Sequence, residues 1–231
     1  YEKNKSRILD KSLISDTSFI TTSPDALDFK IKNSFYMPNP CDISLDYLTN
    51  FRKTSDFDIF YAISHGVHRG NLKYKRIEDR ETFLEKLMYI LKNIKFDIYG
   101  LDKIQPVWAD NYLKCVSNSK MGLNLSRGEP LKYYSSDRIV QIIGNGLVTL
   151  IDEKTMYSDF FNNDEMVFYK NINDLSEKIK RISLDEKIRK NIGRKGKAKY
   201  LKYFNSTLVA EFILKKTLDL PLKKKYLWNK K

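Results

Sequence analysis

Histidine and cysteine are the scarce residues of this 231-residue chain, with two of each, and each scarcity closes off a kind of chemistry. Cys41 and Cys115 lie far apart without metal-ligand spacing. They read as unpaired thiols, small buried hydrophobes suited to a reducing cytoplasm. Both histidines, His65 and His68, sit in one loop with no Cys or acidic neighbour, which argues against a metal centre. No stretch reaches the roughly 18 apolar residues of a membrane-spanning helix. The chain begins at Tyr1 without an initiator Met or a leader pattern, and is read as a fragment of a longer protein. There is no internal repeat, and no Gly-Lys-Ser/Thr ending that would mark a Walker loop.

Material for a core is plentiful: 42% of residues are apolar and 31% charged, enough for one large α/β domain. The net charge of +13 is confined to one end. Lys187 to Lys231 holds 15 Lys and Arg against 2 Asp and Glu, so the rest is neutral. A neutral body argues against a protein that grips nucleic acid over a whole face, and no nucleic-acid partner is expected. The tail, Leu220 to Lys231, reads LPLKKKYLWNKK. Its lysines with Leu, Tyr and Trp suit either a peripheral contact with an anionic membrane or a solvated terminus.

Residues 1–40 alternate short apolar pieces with polar breaks, with brief strands at Ser18–Thr22 and Ser34–Met37. Two prolines in Tyr36-Met-Pro-Asn-Pro40 make a stiff connector, which places a boundary at residue 40. Residues 1–40 are then the remnant of another domain, 41–219 one domain, and 220–231 a basic tail. Beyond residue 56 strands and helices alternate. Strands are expected at Phe57–Ser64, Phe96–Tyr99, Met121–Leu125, Leu147–Ile151 and Met166–Tyr169. Helices are expected at Glu78–Asn93, Val107–Ser117 and Asp137–Gly144, the last capped by Ser136 or Asp137. Basic helices follow at Asn173–Ile182, Leu184–Tyr203 and Ser206–Leu218. This order predicts a Rossmann-like α/β domain: a parallel, doubly wound sheet flanked by helices, closed by basic C-terminal helices.

Such sheets bind ligands beyond the carboxyl ends of their strands, and three loops leave those ends. The first, Ser64 to Gly70, carries His65, Gly66, Arg69 and Gly70: glycines for close backbone approach, a permanent cation and a donor for phosphate. The second, Gly100 to Trp108, holds Gln105, a proline and an aromatic ring that either flanks a base or joins the core. The third runs from Asn124 through Ser126, Arg127, Tyr134, Ser135 and Ser136 into the helix at Asp137. Donor side chains and a helix N-terminus there favour a diphosphate. Arg138 and Gln141 lie one turn apart on that helix.

Lys120 to Ile151 (KMGLNLSRGEPLKYYSSDRIVQIIGNGLVTLI) resembles the donor-binding region of GT-B glycosyltransferases, closest to the spore-maturation-protein-like group of family 1. Arg138, Gln141 and Gly146 occupy the matching positions. Asp164 to Tyr169 with Asn173 onward, Lys187 to Tyr203, and the Tyr36–Asp42 connector resemble further segments, so the likeness spans about residues 35–218. Relatives carry two acidic residues seven apart; here Gln141 stands where the second would be, and no equivalent of the first stands out.

The resemblance implies the C-terminal half of a GT-B fold and a glycosyltransferase of hexosyl or related transfer. It would hold a nucleotide-diphosphate sugar for a glycan or lipid-linked acceptor carried by an absent N-terminal domain, in polysaccharide or glycoconjugate synthesis. Arg69, Arg127 and Arg138 would stabilise the departing diphosphate without metal or other cofactor. Three competing readings share this architecture: a nucleotide-sugar epimerase, a non-catalytic nucleotide- or nucleic-acid-binding α/β module, and a degenerate transferase-like domain.

Overall fold

The computed structural model describes residues 4–64, 79–101, 104–126 and 128–229. Its centre is a parallel five-stranded sheet of β3 (Phe57–Ala62), β4 (Phe96–Tyr99), β5 (Ser119–Asn124), β6 (Val148–Asp152) and β7 (Val167–Tyr169), in the order β4-β3-β5-β6-β7. The expected Rossmann-like sheet is therefore present, with strand ends shifted by a residue or two. β3 shows why its sequence reads as continuous apolar density. Ile59 and Tyr61 face one core cluster, while Phe60 faces another across the sheet, as alternate residues of a strand covered on both sides must. Its one charge, Asp58, accepts from Lys120 Nζ at 2.7 Å and from the Lys95 amide at 2.9 Å.

Helices α2 (Asp79–Ile90) and α5 (Ile172–Leu184) cover the Ile59 face, with Leu84, Leu87, Leu175 and Ile179 buried in that cluster. On the Phe60 face, α3 (Ala109–Ser117) contributes Val116 and α4 (Asp137–Gly144) contributes Ile142. α6 (Glu186–Tyr203) packs against α4 and β6. α4 lies unusually close to the sheet: a Cβ on Gly122 would stand 2.5 Å from Ile142.

Outside the main sheet, α1 (Lys5–Leu13) precedes a small parallel pair, β1 (Ser18–Ile20) with β2 (Ser34–Tyr36). Of the residues of α1, Ser12 alone is buried, and its apolar residues are only Ile8, Leu9 and Leu13, too few for periodicity to have marked it. The small sheet packs onto α7 (Ser206–Thr217), where Phe19 and Phe35 meet Phe212 at 6.2 and 6.3 Å. Tyr36 enters the same cluster as Tyr133, Tyr157 and Phe160. The segment after residue 40 is equally tied in: Lys197 donates to the carbonyls of Asp46 and Leu48 at 2.8 and 2.6 Å, and Tyr200 Oη donates to that of Asn39.

Two expectations are corrected. The tail is not a freely solvated terminus: Tyr226 and Trp228 are 3% and 2% exposed, packed on Phe204 and Phe212. Burial against distant rings outweighs the local pull of the lysines. Ser136 holds the N-cap position of α4 but makes no capping bond; its hydroxyl donates to Asn124 Oδ1 at 3.2 Å. The later helices are capped by side chains, α5 by Asn171, α6 by Asp185 and α7 by Asn205.

Candidate functional site

From β3 the chain first builds outward to β4, then crosses back to place β5 on the other side. The carboxyl ends of β3 and β5 thus flank the point where the strand order reverses, and a crevice opens there. Arg138, in the first turn of α4, spans it: Nε donates to the carbonyl of Ala62 at 3.3 Å and Nη1 to that of Leu125 at 3.1 Å. The guanidinium lies 5.1 Å from the centre of the Tyr61 ring. Arg138 therefore joins the ends of both strands and also lines the cleft.

The cleft has a volume of about 490 Å³ between α3 and α4. Gln141 and Asp137 join Arg138 on one wall; Trp108 and Tyr112 form the other, and Asp46 and Asn145 lie deeper. Trp108 is 62% exposed, and the next residue, Ala109, has φ of +50°, a conformation a non-glycine residue adopts at a cost. That turn presents the indole at the rim. Tyr112 meets Phe60 edge-on at 5.3 Å, and burial pushes its hydroxyl above the usual tyrosine range, keeping it protonated. Asp46 is buried, which raises its carboxyl above the usual carboxylate range against the opposing pull of its bonds from the Asp42 amide and the Cys41 thiol. Asn145 links the floor to the wall: Nδ2 donates to the Gln141 carbonyl at 2.9 Å, and Oδ1 accepts from the Leu48 amide.

The structure sorts the residues expected from sequence. Arg138, Gln141 and Asp137 come together; Asp137 also accepts from Asn39 Nδ2 at 2.5 Å. Asn124 and Ser135 do not line the cleft. Each is 2% exposed, and Ser135 Oγ accepts from the Asn39 amide at 2.9 Å. The second half of their loop is a packing element. Thr21 accepts from the Ser135 amide, Lys132 from that of Ser23, and Thr155 from that of Tyr133, whose φ is +58°. Tyr134, Ser136 and Gln105 do not line the cleft, and Gln105 is exposed. Ser126 lines a second cavity instead. His65, Gly66, Arg69, Gly70 and Arg127 lie outside the described residues.

Tyr112, Asp46 and Asn145 escaped the sequence reading. Tyr112 stands four residues after Trp108, a helical spacing that would have revealed it. Asp46 carried no signal, because Asn145 and Lys197, which tie it to the cleft, are remote in sequence. Among the described residues no group of His, Cys, Asp or Glu could hold a metal ion, and no helix is long and apolar enough to cross a membrane.

A parallel sheet with a polar cleft at its topological switch point defines a Rossmann-like ligand-binding domain. Residues 76–215 match the model of the glycosyl transferase-like family, and the chain belongs to that family. Solved structures agree in fold. TarM of S. aureus superposes with a TM-score of 0.68 at 16% identity, over 94% of this chain and 46% of that one. Anabaena HepE, in complex with UDP and glucose, gives 0.66 at 9% identity, covering 95% and 67%. Sucrose-phosphate synthase from Thermosynechococcus elongatus gives 0.60 at 13%, covering 91% and 60%. The chain thus spans about half the length of TarM. No curated protein sequence matches it.

Proposed function

We propose that this domain binds the nucleotide-sugar donor of a glycosyltransferase, with the nucleoside in the cleft between α3 and α4. The observation that carries the reading is the placement of Arg138: a guanidinium fixed by two main-chain carbonyls at the mouth of a cleft, on a helix whose first turn has no side-chain cap. Such a cation, with the amides of that turn, suits a diphosphate. Trp108 and Tyr112 offer ring faces to a base, and Gln141 and the carboxylates of Asp46 and Asp110 offer acceptors to ribose hydroxyls. That solved relatives of this fold hold UDP supports the choice of ligand.

In the transfer step, negative charge develops on the diphosphate as the glycosidic bond to it breaks. Arg138 is already oriented to meet that charge, so little reorganisation is needed at that moment. The acceptor, a glycan or lipid-linked group, is held by a separate N-terminal domain in this proposal, and the protein works in the cytoplasm. The Arg138, Gln141 and Gly146 spacing supports placement in the spore-maturation-protein-like group. Calorimetric titration with UDP, GDP, ADP and CDP tests the reading: one is expected to saturate, and absence of saturable heat with all four removes it.

A further inference from the structure

α7 buries one side and leaves leucines on another. Val209 and Phe212 are buried in the core. Leu214 and Leu218, one turn apart, are 59% and 62% exposed, and the helical repeat puts them on one outer stripe. The helix then ends in a turn that keeps a third leucine outside. The Leu220 amide donates to the Lys215 carbonyl at 2.8 Å, and Asp219 before it has φ of +49°, a left-handed position more often given to glycine. Leu220 is 50% exposed. A single exposed leucine is ordinary, but three at one helix end make a patch.

The chain beyond this turn carries cations and is held in place. Tyr226 and Trp228 pack on Phe212 at 5.1 and 5.7 Å, so Lys223, Lys224 and Lys225 form a short exposed loop between two fixed ends. Lys224 pairs with Glu211 of α7 at 2.9 Å, which draws the loop alongside the helix. Lys223 and Lys225 enter no ion pair among the described residues. From Leu214 to Lys225 there are five lysines against Asp219 alone, at the end of the chain that holds its whole net charge. Leucines and lysines are thus interleaved on one ordered segment. A nucleic acid would answer the lysines and leave the leucines in water, and an apolar protein surface would do the reverse. An anionic bilayer answers both: its interface takes apolar tips, and its headgroups attract the cations beside them.

We propose that the outer side of α7 and the lysine loop dock on an anionic phospholipid bilayer. Leu214, Leu218 and Leu220 enter the boundary between headgroups and acyl chains, while Lys223 and Lys225 lie at the headgroup phosphates, their aliphatic stems following the leucines. Tyr226 and Trp228 serve as the internal anchors that hold the loop in position. The inference makes no use of the nucleotide cleft, so it stands or falls apart from the nucleotide reading.

The test is co-sedimentation of the whole chain with vesicles of phosphatidylcholine mixed with phosphatidylglycerol, and with vesicles of phosphatidylcholine alone. Binding is expected to the mixed vesicles, falling as salt rises. The pair Lys223→Ser and Lys225→Ser should weaken it about tenfold or more, and the pair Leu218→Ser and Leu220→Ser about tenfold. Both pairs should keep the wild-type melting temperature, because these side chains are exposed. Lys86→Ser with Lys92→Ser removes the same charge from exposed positions on and beside α2 and should leave vesicle binding unchanged. Absence of binding to the mixed vesicles overturns the proposal, as does an equal loss in the Lys86 and Lys92 pair, which would make the attraction one of net charge. Vesicle binding indifferent to the leucine pair, with duplex DNA bound as tightly, overturns it in favour of a polyanion. Self-association without vesicles that the leucine pair abolishes overturns it in favour of a second copy covering the leucines.

Discussion

Arg138 Nη1 and the carbonyl of Leu125, 3.1 Å apart, connect the first turn of α4 to the end of β5. With the bond from Nε to Ala62, one side chain sets both the spacing of the two strand ends and the position of a cation at the cleft. Stability and binding therefore depend on the same group, through separable parts of it.

Arg138→Ala removes both bonds and leaves two main-chain carbonyls to find other partners. The expected cost is about 1–3 kcal/mol in unfolding free energy, with nucleotide affinity reduced tenfold or more. Arg138→Lys keeps the charge without the planar fork, so it should recover part of the binding and little of the stability. Urea denaturation and calorimetry on both variants measure the two effects independently.

Trp108 and Trp228 are the two tryptophans of the chain, and they differ sharply, at 62% and 2% exposed. Nucleotide entering the cleft should quench the red-shifted emission of Trp108 alone. Trp108→Ala should abolish that change and weaken binding by about 1–2 kcal/mol, with the melting temperature unaltered because the indole buries little. A quench that survives in Trp108→Ala would place the ligand elsewhere.

Trp228→Ala probes the tail. The ring lies 5.6 Å from Phe204 and 5.7 Å from Phe212, and its loss should cost about 3–5 kcal/mol in a urea titration. A freely solvated tail would give no measurable change.

What was readable in the sequence follows from how local each signal is. β3 and α4 declare themselves within a few residues, by an apolar run and by an apolar stripe at Ile139, Val140, Ile142 and Ile143. The switch-point cleft then follows from strand order, and Arg138 and Gln141 from their spacing. Ser135 looked like a ligand group because its partner, Asn39, is 96 residues away. Trp228 looked solvated because lysines precede it, whereas the rings it packs on belong to α6's end and α7. Asp46 reached the cleft through contacts with Lys197 and Asn145, which no window of sequence contains.

Glu211 ties α7 to the same tail, accepting from Lys215 Nζ at 2.7 Å and Lys224 Nζ at 2.9 Å. These bonds, the one from Lys215 first, lower its carboxyl from 4.5 to about 2. A carboxyl held below its unfolded value stabilises the fold above that value, and the contribution disappears as pH falls through the folded one. Wild type should therefore melt above Glu211→Gln at pH 7, with the gap closing between about pH 4.5 and pH 2. Lys224 lies at the surface, so 1 M salt should narrow the gap at pH 7 as well.

Gly122 tests how closely α4 must lie on the sheet that carries the cleft. A Cβ there would stand 2.5, 2.7 and 2.8 Å from three side-chain carbons of Ile142. Gly122→Ala should push α4 outward at a cost of about 1–3 kcal/mol from overpacking. Ile142→Ala alone should cost about 2–5 kcal/mol, because it opens a cavity. The new methyl would then partly fill the space left by the isoleucine, so the double variant should be more stable than the sum of the two losses predicts, by about 1 kcal/mol or more. Because α4 also carries Arg138, Gly122→Ala should weaken nucleotide binding although it touches no ligand, and adding Ile142→Ala should restore it. Additive losses in denaturation, or unchanged binding in Gly122→Ala, would show that the position of the helix does not control the cleft.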